Sequence, residues 1–244
     1  MSDALLVASG VTKRFGGFLA LDQVDFEVRP GERVGLIGPN GSGKSTLVNC
    51  IAGTLRNEHG AIRFEGRDVV ALPPHKRVRL GIARSFQLPR PFASMTALDN
   101  LLIPMLYATH KYERPHGDRA TEEAMEILRQ IGLEDKARQM SGGLTQVDMR
   151  KLELARAMAA HPKLLIADEA MAGLSASEVD DILEILLDMK GRGIAVVMIE
   201  HIMRAVNHFS ERVAVLVAGR KIADGAPDEV MRNPEVERAY LGTA

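Results

Sequence analysis

The sequence predicts an α/β fold, in which a parallel-sheet core carries an antiparallel β subdomain and an inserted α-helical subdomain. Three observations predict it. An apolar run, Arg33 to Ile37, leads into the glycine-rich stretch Gly38-Pro39-Asn40-Gly41-Ser42-Gly43-Lys44-Ser45-Thr46 and then into helical spacing of Leu47, Val48 and Ile51. That is strand, turn, helix. Two continuous apolar runs, Lys163 to Ala167 and Ile194 to Ile199, flank the helical pattern Ala176 to Lys190, as in a βαβ unit of a parallel sheet. From Thr96 to Ala160 the patterning is almost wholly helical, broken at His110 to Asp118 and at Ser141-Gly142-Gly143.

In chain order, Leu5 to Ala8 and Ala20 to Val28 read as strands before the turn at Pro30-Gly31, and Ala61 to Phe64 as another before Gly66. Short strands around the first helix are expected to form the antiparallel part. A basic helical segment, Pro73 to Gly81, leads to a strand at Ile82 to Phe86, after which Pro89 and Pro91 mark a loop. Val213 to Ala218 and Lys221 to Ala223 finish the sheet ahead of a short helical tail. The chain 1–244 is expected to be a single domain, with 1–88 and 161–244 as core and β subdomain and 89–160 as the helical subdomain.

A chain of 244 residues buries a substantial core, and 46% apolar with 26% charged residues is ordinary for a soluble globular protein. The formal charge of −1 provides no global basic field, which argues against nucleic acid as a partner. The single Cys50 rules out an internal disulfide and fits reducing cytosol. There is no basic, apolar leader and no run of eighteen apolar residues, so any membrane connection is expected through partner proteins.

The nine residues Gly38 to Thr46 fit G-x-x-x-x-G-K-[ST] between a strand and a helix. They read as the phosphate loop of a P-loop NTPase (RecA-like) core. Glycines 38, 41 and 43 let backbone N–H groups curl around a phosphate at a helix N-terminus. Lys44 should reach the β and γ phosphates, Ser45 should face Mg²⁺ and Thr46 a phosphate oxygen. Hydrolysis also needs a carboxylate for the metal and a group for the attacking water. The strand Leu164 to Ala167 ends in Asp168-Glu169, at the carboxyl edge where such sheets bind ligands. Asp168 would hold the metal through water and Glu169 would polarise the nucleophile. His201 follows the next strand and falls at the same edge. It could donate to the γ phosphate or to that water, although a lone His after a strand is more often a solvated or capped residue.

Together these residues resemble the ATP-binding cassette (ABC) ATPases over nearly the whole chain. The resemblance implies ATP and Mg²⁺ as cofactors. It implies that Gln87, in Gly81-Ile82-Ala83-Arg84-Ser85-Phe86-Gln87, touches the metal and signals to a membrane subunit, that Phe15 stacks on adenine, and that His201 is the switch histidine. Gly81 to Phe92, Ile199-Glu200-His201, Ile222 to Pro227 and the ending Asn233-Pro234 to Tyr240-Leu241-Gly242 resemble ATPases of branched-chain amino-acid importers, a group close to importers of urea and other amides. The implied partners are a second ABC ATPase subunit in a hetero- or homodimer, integral-membrane permease subunits and, indirectly, a solute-binding protein. The implied place is the cytoplasmic face of the inner or plasma membrane. The rival readings are a soluble cassette ATPase and a weakly hydrolysing regulatory subunit.

One part departs from the pattern. The family's Leu-Ser-Gly-Gly-Gln signature caps the γ phosphate of the opposite subunit. Ser141-Gly142-Gly143 looks like it but lies twenty-seven residues before Asp168, whereas the family's spacing, twenty-three, falls on Thr145. In register the signature is Leu144-Thr145-Gln146-Val147-Asp148, with Ser141 to Gly143 as a flexible lead-in. Gln146 and Val147 replace both glycines and Asp148 the glutamine. Val disfavours φ > 0, and Asp148 brings negative charge toward a phosphate, so the signature should be poor. Ser175 stands where the aspartate linking the two sites is expected, and Ala170 where proline is common.

Overall fold

The structure is a computed structural model that describes residues 4–85, 91–108 and 117–241. The first half contains β1 (Leu6–Phe15), β2 (Phe18–Val28), β3 (Arg33–Ile37), α1 (Lys44–Ala52), β4 (His59–Phe64), β5 (Arg67–Asp68), α2 (Pro74–Leu80) and β6 (Ile82–Ser85). Three helices follow: α3 (Ala97–Tyr107), α4 (Asp118–Gln130) and α5 (Gln146–Met158). Then come β7 (Leu164–Asp168), α6 (Ala176–Asp188), β8 (Ala195–Ile199), α7 (Met203–Phe209), β9 (Arg212–Val217), β10 (Arg220–Gly225), α8 (Pro227–Met231) and α9 (Pro234–Leu241).

The expected α/β architecture is present, with two sheets. One is antiparallel, in the order β2-β1-β4-β5. The other runs β10-β9-β3-β8-β7-β6 and is parallel except where β10 pairs antiparallel with β9. Strand alternation sorts the parallel sheet into two faces. Leu164 and Ile166 of β7 and Val197 and Ile199 of β8 share a core with Leu47, Val48, Cys50 and Ile51 of α1 and with the antiparallel sheet. Leu165, Ala167, Val196 and Met198 point the other way, into a core built with α3 to α7. Helix α1 is therefore packed between the two sheets, and its N-terminus emerges beyond the carboxyl end of β3.

Two expectations need correction. The first strand does not stop at Ala8. The pairing of β1 with β2 is irregular between Ala8 and Val11, where Gly10 has φ 59°, and the strand continues to Phe15. A bulge of this kind bends a strand without ending it. Nor is Ser141-Gly142-Gly143 a flexible lead-in. It forms a short 3₁₀ turn whose Ser141 is wholly buried. The Ser141 amide donates to Met95 O at 2.9 Å and its hydroxyl to Phe92 O at 2.9 Å, while Asn100 Nδ2 donates to Ser141 Oγ at 3.3 Å. The Gly142 amide adds a bond to Ala93 O, so residues 92–95 are pinned ahead of α5 through backbone bonds that small residues leave accessible.

Helix α1 ends on Gly53, its left-handed C-cap, and Arg77 covers its last turn. Arg77 is buried, and its guanidinium donates to Cys50 O at 2.6 Å, Ile51 O at 2.7 Å, Val70 O at 3.1 Å and Leu72 O at 2.9 Å. A cation at a helix C-terminus satisfies orphan carbonyls and complements the helix dipole. Burial holds its pKa below the usual arginine value.

Candidate functional site

The loop from Gly38 to Thr46 begins at the end of β3 and closes on α1. Gly43 is the N-cap of α1, with φ 107°, and a Cβ there would lie 2.7 Å from Ala20 O. At Gly38, with φ 148°, it would lie 2.1 Å from Leu216 O. Only glycine fits both positions, since each combines a backbone angle that L side chains avoid with a backbone oxygen in the way. No side chain caps α1 and no acidic residue stands in its first turn. The orphan amides there form an uncapped, positive helix end, which is suited to an anion.

Lys44 Nζ folds back on its own loop, donating to Gly38 O at 2.6 Å and Pro39 O at 3.1 Å. Burial lowers its pKa, and the Glu169 and Asp168 carboxylates oppose that shift. The two acids therefore lie within electrostatic reach of the lysine. Ser45 and Thr46 occupy the first turn of α1.

Register brings the second half of the site to the same edge. Leu36 of β3 pairs with Ile199 of β8, and Ile199 pairs with Asp168 of β7. Gly38 lies one residue beyond the end of β3 and His201 two beyond the end of β8, so both sit on one rim with Asp168 and Glu169. Asp168 is buried, with its Oδ2 2.5 Å from Arg84 Nη2. Glu169 has φ 48°, a left-handed backbone angle that non-glycine residues seldom adopt. The turn is held by its amide, which donates to Ile199 O at 2.9 Å, and by the Ala172 amide, which donates to Glu169 O at 3.2 Å. His201 is exposed, 3.9 Å from Glu200 Oε2 through Nδ1.

Phe15 is 49% exposed at the tip of the β1–β2 hairpin, where Lys13 Nζ stands 5.5 Å from its ring centre. The hairpin approaches the phosphate loop through Ala20, whose carbonyl faces Gly43. Phe18 across the turn is exposed as well, at 62%. Gln87 lies outside the described residues.

Four side chains at this rim escaped the sequence reading. Arg84 and Asn49 are joined at 2.6 Å and lead to Asp168. Glu200 is buried and accepts the Met171 amide at 2.9 Å, tying the strand that leads to His201 to the loop after Glu169. Burial pushes its carboxyl up, against hydrogen bonds from the Met171 and His201 backbone. Arg150 of α5 donates to Ala172 O at 3.3 Å in the same loop, and the carboxylates of Glu200, Glu153 and Glu169 act on its charge. A charged residue inside an otherwise apolar strand, as in Ile82-Ala83-Arg84-Ser85, was the available signal.

At the start of α5, Thr145 is the N-cap. Its hydroxyl donates to Asp148 Oδ2 at 2.7 Å, the Asp148 amide donates back to Thr145 Oγ1 at 3.2 Å, and Lys136 Nζ reaches the same Asp148 oxygen at 2.5 Å. Burial works to raise the Asp148 pKa, but the hydrogen bonds from Lys136 and Thr145 outweigh it and hold the carboxyl below its ordinary value. Gln146 and Val147 lie inside the helix, and neither has positive φ. The expected backbone conflict at Val147 is therefore absent, because a helical first turn requires no left-handed residue.

A model described as ABC transporter matches residues 21–172, and one described as branched-chain amino acid ATP-binding cassette transporter matches residues 220–244. Over 259 residues, with both chains wholly covered, the chain is 38% identical to the high-affinity branched-chain amino acid transport ATP-binding protein BraF of Pseudomonas aeruginosa. It is 36% identical over 256 residues to the corresponding protein LivG of Escherichia coli, again with both wholly covered. Among solved structures, the ADP conformation of an ATP-binding cassette of an ABC transporter superposes with TM-score 0.89 at 33% identity, covering 99% of this chain and 100% of that one.

Proposed function

This chain belongs to the ABC transporter family, and on that premise we propose that it is the ATP-hydrolysing subunit of an importer of branched-chain amino acids or related amides. One observation carries the reading. An uncapped helix end with its lysine, the acids at 168 and 169 and the histidine at 201 converge on one rim of a parallel sheet. In this reading, ATP lies with its adenine against Phe15 and its phosphates in the loop from Gly38 to Thr46. Ser45 and Gln87, with Asp168 acting through water, would hold Mg²⁺, an oxygen set that suits a hard cation. No cluster of three or more acidic, His or Cys side chains among the described residues could seat a metal alone, so the phosphates would complete the shell. Glu169 accepts the proton of the attacking water and His201 donates to the γ phosphate as charge builds on it.

Residues 89–160 would act as the helical subdomain that meets the permease, with Phe92 and its surroundings at the contact. The cassette would work at the cytoplasmic face of the membrane, in a dimer whose second subunit supplies the facing signature, with a solute-binding protein delivering the solute from outside. The signature at 144–148 is degenerate in this reading, because Asp148 and Thr145 already occupy the helix end that a partner's phosphate would need. Losing one or two charge-assisted hydrogen bonds, at roughly 1.5–3 kcal/mol each, weakens that composite site at least about tenfold. The dimer is then asymmetric if the partner has an intact signature.

The test is the native complex. Purification through this chain should bring down permease subunits and a second cassette, and leucine with its binding protein should stimulate ATP hydrolysis. Isolation without membrane subunits would favour the soluble cassette. Single-turnover hydrolysis that stays at background in the assembled complex would favour the regulatory subunit, the rival that the closed signature helix supports.

A further inference from the structure

Arg84 is the one charged residue of β6, the edge strand of the parallel sheet, and its place there follows from register. Arg84 pairs with Ile166 of β7. Asp168 lies two residues farther along, so it falls on the same face as Ile166 and diagonally opposite Arg84, within reach of a long side chain. That face looks onto α1, and α1 presents Asn49. The guanidinium spans the three elements, with Nη2 2.5 Å from Asp168 Oδ2 and Nη1 2.6 Å from Asn49 Oδ1. Asn49 Oδ1 also accepts from Thr54 Oγ1 at 3.1 Å, so the anchor is itself fixed. The Arg84 and Asp168 side chains are 14% and 8% exposed. Water therefore screens the contact little.

We propose that Arg84 is the positioning residue of the metal aspartate. It commits one carboxylate oxygen of Asp168, Oδ2, to a rigid two-point fork, so that the other, Oδ1, is the one that would serve the cation. This rests on the reading of Asp168 as the residue that holds Mg²⁺. Groups that orient a ligating carboxylate through its second oxygen set metal affinity, and their removal weakens it about 10–100-fold. Lysine cannot replace the fork, because its single ammonium cannot hold Asn49 and Asp168 in the fixed planar geometry of a guanidinium. The same arrangement ties the phosphate-loop helix, β6 and β7 together at the one carboxylate they all serve.

The experiment titrates Mg²⁺ against binding of a fluorescent ATP analogue to the full-length chain carrying Glu169→Gln, so that hydrolysis does not interfere. Arg84→Met should raise the half-saturating Mg²⁺ concentration about tenfold. Arg84→Lys should fall between it and the parent, and Asn49→Ala, which loosens the fork without unpairing Asp168, should raise it about threefold. Nucleotide binding in EDTA should change far less, and circular dichroism checks that each variant is folded. Unchanged Mg²⁺ dependence in folded Arg84→Met and Asn49→Ala overturns the proposal, leaving a structural ion pair. Tighter Mg²⁺ binding overturns it as well, since the guanidinium would then compete with the cation. Asp168→Asn separates the two readings. If it leaves Mg²⁺ dependence unchanged, the assignment of Asp168 has failed; if it shifts and the Arg84 and Asn49 variants do not, only the role of Arg84 has failed.

Discussion

Two helices of this chain begin at places where the proposed function puts phosphate, and they begin differently. Helix α1 starts on Gly43 with no side chain over its amides. Helix α5 starts on Thr145, with Asp148 folded back over the end and Lys136 neutralising it. Both ends carry the same orphan N–H groups and the same partial positive charge. The difference teaches that a helix end becomes an anion site only when its own side chains decline to cap it. An N-cap that stabilises the free protein by about 1 kcal/mol also competes with the ligand.

The strongest way to break the contrast acts on the open end. Glu169→Gln should lower ATP turnover of the assembled transporter by about 10²–10⁴, the usual range for removing a general base, while ATP binding persists. Phosphate release and nucleotide binding, measured on one preparation, check both halves. A variant that keeps half its turnover would remove Glu169 from the chemistry. Next in size, opening the closed end with Gln146→Gly, Val147→Gly and Asp148→Gln together should raise turnover of the assembled transporter about tenfold, by freeing the Thr145 hydroxyl and removing a negative charge. No rise in steady-state hydrolysis would mean that the self-capped end is not what limits the second site.

The far end of α1 offers a stability test. Arg77→Met leaves four carbonyl oxygens without their donor, two of them in buried bonds, at a cost of about 3 kcal/mol or more. In a domain of this size that lowers Tm by roughly 6–12 °C, readable by calorimetry. The smallest effect concerns Asp148. Its carboxyl titrates below its unfolded value in the folded chain, so its contribution is fully present above the ordinary carboxylate pKa, about 4, and is lost as pH falls through the lower folded value. Asp148→Asn should therefore flatten the acid limb of the stability curve by about 1 kcal/mol and leave it unaltered in shape near neutrality.

The parts legible in the sequence were those carried by neighbours in the chain. Gly38 to Thr46 and Asp168-Glu169 each announce themselves within a few residues, and strand periodicity then places them on one rim. Arg84, Asn49 and Arg77 did not, because the bonds that join them to other elements span 26 to 84 positions and only the folded register reveals them. Ser141-Gly142-Gly143 misled for a related reason. Small residues that resemble a flexible linker in isolation are small here so that backbone from 92–96 can lie against them. At 147 the error was local. The chain is helical from Gln146, and a helical residue needs no glycine angle.

The left-handed corner at Glu169 has an evolutionary consequence. Relaxing it with glycine would favour folding, by roughly 1–3 kcal/mol if the strain is typical. It would also delete the carboxylate. A library of this gene selected only for survival of heating should therefore accumulate glycine at that codon, and the winners would be cassettes that outlast the parent and pump nothing. Selection by heat and selection by uptake should pull this single position in opposite directions.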